Sequence, residues 1–430
     1  VRSALKCIFI ILVQVLTIIN ETRENQANKS KFEHSSRTSP NIVFLGGLAG
    51  LPALSIDIGL PALVKMRADL HATATEAGST LSLFIVGLAI APLVCGPLSD
   101  RFGRRTVLVG GLGLFTLFGL LSALGTDINQ LLIFRLFQGC GAGAASIMPV
   151  AIVRDSFRGA TAKRMLAHMA LVRGVSPAIA PMLGAALLVI GNWRTINLAL
   201  MIAGLVLLIF ALCGFNETRD GTPMATHPSA LGKNYAIVLF NPVVLCNALI
   251  QAFALATMFA WVSASPLVII GILHISTAGF SIIFALTSAS IMFGSFSCAK
   301  LTSRGVNLDA VLGSTTAAVW IAALILTIAS VYGYTSLVLL LPMLIIVNFG
   351  FGLIVPLALH GMMEPLPEMS GYVAGLGNAS QMMAAAFASW LVSYASDGRS
   401  MLSMAGVMLG CATAMALSCY VTSNLSDASR

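Results

Sequence analysis

Three strongly charged side chains, Asp57, Arg135 and Arg173, stand inside long apolar runs of this 430-residue chain. A charge among apolar neighbours is costly, and it persists where it moves a proton, pairs with another charge or meets a ligand. Asp57 lies between Pro52 and Pro61, with Gly50 and Gly59 close by. Prolines loosen a helix and free backbone carbonyls, and a carboxyl group held away from water can take up and release a proton. The alternative is a structural cap or ion-pair partner near one end of its helix. Arg135 either serves that acid or a substrate, or it snorkels to a nearby interface. The same choice, cavity or interface, applies to Arg173.

A denser burst of charge occurs at GPLSDRFGRR, residues 96–105. No charged residue is found from Gly78 to Cys95, and none from Thr106 to Thr126. Arg101, Arg104 and Arg105 can anchor a turn at a membrane surface. Gly96 and Gly103 permit close packing and tight turning. Asp100 can accept hydrogen bonds from a nearby helix start or pair with an arginine. Anchoring alone would need the arginines but neither the glycines nor the aspartate, so the stretch is read as a gate.

These residues must be positioned by membrane helices. The chain is 57% hydrophobic and 9% charged, with a mean hydropathy of +0.93. A soluble domain carries roughly 25% charged residues, so lipid must be the solvent here. Apolar runs predict twelve helices at about 41–64, 78–98, 106–125, 130–152, 166–190, 195–215, 237–263, 279–298, 309–331, 336–358, 372–394 and 401–421. Most connections are short, which makes neighbours antiparallel. One, 216–236, is longer and polar and divides the helices six and six.

The loops on one side hold Arg101, Arg104, Arg105, Arg154, Arg158, Lys163, Arg164, Arg219, Lys233, Lys300 and Arg304. Those on the other hold Lys65, Arg67, Arg194 and Arg399, so the count is eleven against four. The positive-inside rule places the first set, and both ends of the helical core, in the cytoplasm. The net charge of +8 is scattered between apolar runs, which is topology rather than nucleic-acid binding. The eight cysteines form no metal-ligand spacing. Residues 1–40 combine a short apolar run with a polar stretch and are read as an extension outside the functional core. Residues 41–215 and 237–421 are read as two six-helix bundles, 216–236 as a linker and 422–430 as a tail. GSFSCAKLTSRG (294–305) weakly repeats GPLSDRFGRR, as a duplicated six-helix unit would.

GPLSDRFGRR also resembles the signature loop between helices 2 and 3 of the major facilitator superfamily. Gly96, Leu98, Asp100, Arg101, Gly103, Arg104, Arg105 and Leu108 fill its places. LLIFRLFQGCGAG (131–143) resembles the helix 4 motif, with Arg135, Gln138 and Gly139. NWR (192–194) and NET (216–218) resemble the usual start and exit of helix 6. Ala167, Ser176, Ala180, Pro181, Gly184 and Ala185 take the places of the antiporter motif on helix 5, with small residues standing for several glycines. LPALSIDIGLPAL (51–63), the pair Arg154–Asp155 at the cytoplasmic end of helix 4, and PEMSGYVAGLG (367–377) are similar to the bicyclomycin/chloramphenicol-resistance exporters. The resemblance covers about 41–421. It implies an all-α integral membrane protein, twelve transmembrane helices in two pseudo-symmetric six-helix bundles that rock about a central cavity. It further implies proton exchange at Asp57, tuned by Arg135, and a helix 2–3 loop that latches the outward-facing state.

The expected function is proton-driven efflux of small neutral or weakly charged drug-like amphiphiles across a bacterial inner membrane. The protein is expected to act as a monomer in the lipid bilayer, with no cofactor, metal or nucleic acid. Polar candidates for the cavity wall are Asn247, Gln251, Asn378 and Gln381, because an amide in a membrane helix faces the protein interior. Phe253, Phe259, Trp261, Met382, Met383, Phe387 and Trp390 either supply adaptable greasy walls or pack against helices and lipid. No GxxxxGK[ST], HExxH or GxSxG occurs, which argues against ATP drive and against hydrolase chemistry. A proton symporter importing a small metabolite is the rival, and an intramembrane enzyme the remote one.

Overall fold

Helix ends are set by polar residues that satisfy the first free backbone N–H groups. In the computed structural model, which describes residues 41–215, 217 and 236–428, such caps occur at eight of the twelve long helices. Side chains of Asn41, Thr73, Asp127, Asn192, Asn241, Ser276, Asn307 and Ser336 each accept from the backbone of the helix they open. The helices are α1 (Ile42–Asp57), α2 (Ala74–Phe102), α3 (Arg104–Leu124), α4 (Ile128–Ser156), α5 (Gly159–Ile190) and α6 (Trp193–Cys213). They continue with α7 (Pro242–Pro266), α8 (Thr277–Ser303), α9 (Leu308–Val331), α10 (Leu337–Met363), α11 (Ser370–Tyr394) and α12 (Leu402–Ala428).

Among the described residues these are twelve long helices, and eleven are long and apolar enough to cross a membrane. The twelfth, α11, has 25 residues; its serines, Asn378 and Gln381 make it less apolar. Several helices outrun their apolar cores: α2 begins at Ala74, α5 at Gly159, and α12 continues to Ala428. Hydropathy marks where lipid ends, whereas capping marks where the helix ends. The extension 1–40 and the linker 216–236, apart from Glu217 and residue 236, lie outside the described residues, as does Arg219.

Two local departures bear on the site. α1 stops being regular at Asp57, passes through a 3-10 turn at Leu60–Ala62, and resumes over Leu63–Asp69. Pro61 sits in that turn, and it has no backbone N–H to continue the regular α-helical hydrogen bonding. α7 ends in a π-helical turn, Leu267–Ile272, just after Pro266.

Packing repeats between the first six helices and the last six. α1 packs on α4 and α5, α2 on α4, and α3 on α4 and α6; the equivalent pairs are α7 with α10 and α11, α8 with α10, and α9 with α10 and α12. The tightest of these pairs use glycine. A Cβ on Gly139 of α4 would strike the carbonyl oxygen of Phe84 in α2, and one on Gly87 would strike that of Leu136. In the second half, Gly294 of α8 faces the Phe349 carbonyl and Gly352 of α10 faces that of Ile291. Without a hydrophobic drive between helices in lipid, such close van der Waals contact is what binds them.

The two sets of six meet through α2 with α11 and α5 with α8. The hydroxyl of Thr75 donates to the Ser393 carbonyl at 3.1 Å, and that of Ser281 to the Pro181 carbonyl at 3.0 Å. A Cβ on Gly78 would collide with the Ser393 hydroxyl. Thr75, Gly78, Ser281 and Ser393 all lie near the end of the bundle whose loops are poor in Lys and Arg, so this sparse face is closed.

Candidate functional site

Asp57 is buried, with 5% of its surface exposed, and midway along the span Ile42–Asp69. It makes no hydrogen bond or ion pair with any described residue. Arg135, eight residues into α4, turns into the bundle rather than out to an interface. Its guanidinium donates to the Gln138 Oε1 at 2.9 Å and to the Ser55 carbonyl at 3.2 Å. It also stands 4.6 Å from the centroid of the Phe84 ring, which attracts a cation through its negative face. Arg135 therefore grips the backbone of α1 two residues before the acid, not the carboxylate itself. Ser55, Thr80, Arg135, Trp193 and Asn197 border a hollow of about 50 Å3 on that side, large enough for a water molecule.

The antiporter-motif positions hold α5 in place. The Ser176 hydroxyl donates to the Gly50 carbonyl at 3.4 Å, Ala180 is fully buried, and a Cβ on Gly184 would strike the Ile58 carbonyl. These three face α1, while the Pro181 carbonyl faces α8. Arg173 is exposed. Its neighbours point to different helices: Val172 packs on Gly46 and Gly50 of α1, and Gly174 lies nearest Met292 of α8.

Amides of the second half form a linked set. Gln381 donates to Gln251 at 2.6 Å, and Gln251 donates to the Val355 carbonyl at 3.0 Å, tying α11, α7 and α10 together. Asn247 is buried against Gly361 and donates to the Val243 carbonyl. Asn378 is exposed. Phe253 packs apart from these amides. It lies on the other side of α7 from Gln251 and lines an apolar groove of about 310 Å3 with Phe387, Gly406 and Gly410. That groove opens between α11 and α12, where Phe387, Trp390 and Tyr394 are exposed, so it faces the membrane rather than a central cavity. Phe259 and Trp261 are core.

At the opposite, basic face, GPLSDRFGRR is not an open loop. Helix α2 continues through Asp100 to Phe102, and a single residue, Gly103 at φ +93°, joins it to α3. Left-handed backbone of this kind favours glycine. A side chain there would also meet the Glu217 carboxylate. Glu217 accepts from the backbone N–H of Arg104 at 2.9 Å and of Arg105 at 3.0 Å, so it caps α3 where the helix dipole is positive. Arg104 pairs with Asp155 at 3.1 Å and donates to the Ser99 hydroxyl at 2.6 Å. Arg105 donates to the Leu212 carbonyl at 2.6 Å. Arg154 ends α4 beside Asp155. Gly96 has open space around it, and Arg101 lies 5.2 Å from the Phe102 ring centroid. The side chain of Asp100 lies outside the described residues. These contacts join α2, α3, α4 and the exit of α6. Sequence alone pointed to the arginines and Gly103 but not to the cap: Glu217 is 113 positions from Arg104, and its one signal was an acid at the exit of a helix. Glu217→Ala is expected to cost about 1 kcal/mol, read as a lower midpoint of thermal unfolding in detergent.

A sequence profile of the Major Facilitator Superfamily matches residues 45–389. The chain belongs to the major facilitator superfamily. Among relatives, it is 35% identical over 258 residues to the MFS-type transporter YdgK of Bacillus subtilis, an overlap of 59% of this chain and 63% of YdgK. It is 28% identical over 242 residues to the multidrug resistance protein MdtL of Escherichia coli O157:H7, over 56% of this chain and 61% of MdtL. The matched part is thus about three fifths of those two relatives' length. Multidrug resistance protein D of Escherichia coli K12 is 25% identical over 348 residues, covering 80% of this chain and 87% of that one. The same superfamily fold appears in a bacterial homologue of the human lysosomal transporter Spinster, at 13% identity and a TM-score of 0.68 over 89% of this chain and 96% of that one. A D-xylose–proton symporter gives 15% identity and a TM-score of 0.68 over 87% and 95%.

Proposed function

We propose that this transporter is a proton-coupled efflux antiporter for small neutral or weakly charged drug-like amphiphiles, of the bicyclomycin/chloramphenicol-resistance type. The observation that carries the proposal is Asp57: a buried carboxyl group with no partner among the described residues, where α1 breaks at the Pro61 turn. Such a group can hold a proton in one state of the carrier and give it up in another. Relatives named for multidrug resistance support the direction of transport.

Residues 41–215 and 237–421 act as two bundles that rock about a cavity. The basic face lies in the cytoplasm and the sparse face outside a bacterial inner membrane, and a monomer suffices. On this reading the carrier is inward-facing, which the closed sparse face supports. Gly103, Arg104, Arg105, Asp155 and Glu217 brace the helix 2–3 junction within the first bundle, and the loop that carries Asp100 latches the outward-facing state, as the family resemblance implies.

Expression in a pump-deficient bacterium is expected to raise resistance to chloramphenicol and to lower its accumulation, with accumulation restored by an uncoupler. Unchanged susceptibility across a broad panel, together with proton-linked uptake of a sugar or amino acid, would overturn export in favour of import.

A further inference from the structure

Arg173 is the fifteenth of the 32 residues of α5 and lies level with Gly46 and Gly50, about two turns into α1 from the basic face. By helical geometry it lies about 160–200° round α5 from Leu171 and Val189, which are 55% and 82% exposed and mark the membrane side. Its flanking neighbours, Val172 against α1 and Gly174 against α8, place it at the cleft between those two helices. The cleft is closed farther along by the Ser281–Pro181 hydrogen bond, eight residues on from Arg173. Arg173 itself is exposed and has neither a hydrogen bond nor an ion pair among the described residues. A guanidinium stays charged in a protein, and a charge at membrane depth needs a counter-charge or water. Asp57 offers none: it is buried beside Ile58, which meets Gly184, eleven residues farther along α5 than Arg173.

We infer that the missing counter-charge arrives with the ligand: Arg173 is a substrate-binding residue that holds the ionised carboxylate of an amphiphilic acid. The planar fork of arginine matches a carboxylate with two parallel hydrogen bonds. Met292 of α8, partly exposed beside Gly174, offers a soft apolar contact for the body of such a molecule. This rests on the efflux proposal in taking the cleft for the substrate path, and it adds amphiphiles carrying a carboxylate to that substrate class.

The test is equilibrium dialysis of nalidixic acid and its uncharged ethyl ester against the purified full chain in detergent, at a pH where the acid is ionised. The wild type is expected to bind the acid about tenfold more tightly than the ester, as a charge-assisted pair provides. Arg173→Gln should remove that preference, and Arg173→Lys should keep part of it. Equal binding of acid and ester by the wild type, binding of neither, or a preference that survives Arg173→Gln would overturn the assignment. The wild-type comparison decides even if Arg173→Gln does not fold. If cells show no efflux while the acid preference still tracks Arg173, the efflux proposal falls and the acid site stands; efflux with no acid preference gives the reverse.

Discussion

Asp57→Asn is expected to abolish uphill transport while leaving the protein folded and inserted. The amide keeps the size and shape of the side chain, so packing around the Pro61 turn is undisturbed, but it cannot exchange a proton. Each proton that crosses a potential of 100 mV releases about 2.3 kcal/mol, enough to sustain roughly a 50-fold concentration ratio of substrate. Without a coupled proton the carrier can only equilibrate its substrate, so the ratio in energised vesicles should collapse toward unity. Counterflow in de-energised vesicles should persist, because it needs rocking but no proton. A variant that still accumulates substrate against a gradient would remove Asp57 from the coupling mechanism. Loss of counterflow as well would mean that the residue holds the fold rather than the proton.

The second large effect is expected at Gly139→Ala. The added methyl group would meet the Phe84 carbonyl oxygen, part of the backbone of α2, which cannot swing aside as a side chain would. The two helices must separate, and overpacking of this kind costs about 1–3 kcal/mol or more. Separation would also lift Phe84 away from the Arg135 guanidinium, so stability and coupling should fall together. Gly113→Ala in α3 is the matched control, because its Cβ meets nothing within 4 Å. Comparing the two thermal midpoints tests the packing: Gly113→Ala should leave the midpoint unchanged or raise it. Equal behaviour of the two variants would show that close approach of α2 and α4 does not support the fold.

Much of the architecture could be read from composition alone, because a chain so poor in charge has few ways to be soluble. The spans followed from apolar length, and Asp57, Arg135 and Arg173 stood out because charge is expensive there. Which way each side chain faces was harder to read. In a soluble helix the polar stripe marks the outside, whereas lipid and protein interior are similarly apolar. Phe253 shows the result: its chemistry suits a cavity wall, yet it lines a groove facing the membrane. The amides Gln251 and Gln381 were better guides, since a polar side chain must find a partner and these two find each other. Glu217 illustrates the other limit. Its role depends on contact across more than a hundred residues, and nothing local in NET specifies which helix start it will cap.

The closure at the sparse face has a consequence for the energetics of switching. Among the described residues, the hydrogen bonds that cross there run from hydroxyl groups to carbonyl oxygens, Thr75 to Ser393 and Ser281 to Pro181. Arg67, close by, spends its Nε on the Ala72 carbonyl within its own half. Neutral bonds of this kind contribute about 1 kcal/mol each, and water replaces them when the face parts. The lock is electrically silent, so ionic strength should leave it unmoved. Any bias that protonation exerts on it must travel mechanically, through the broken end of α1 and its glycine-tight contact with α5.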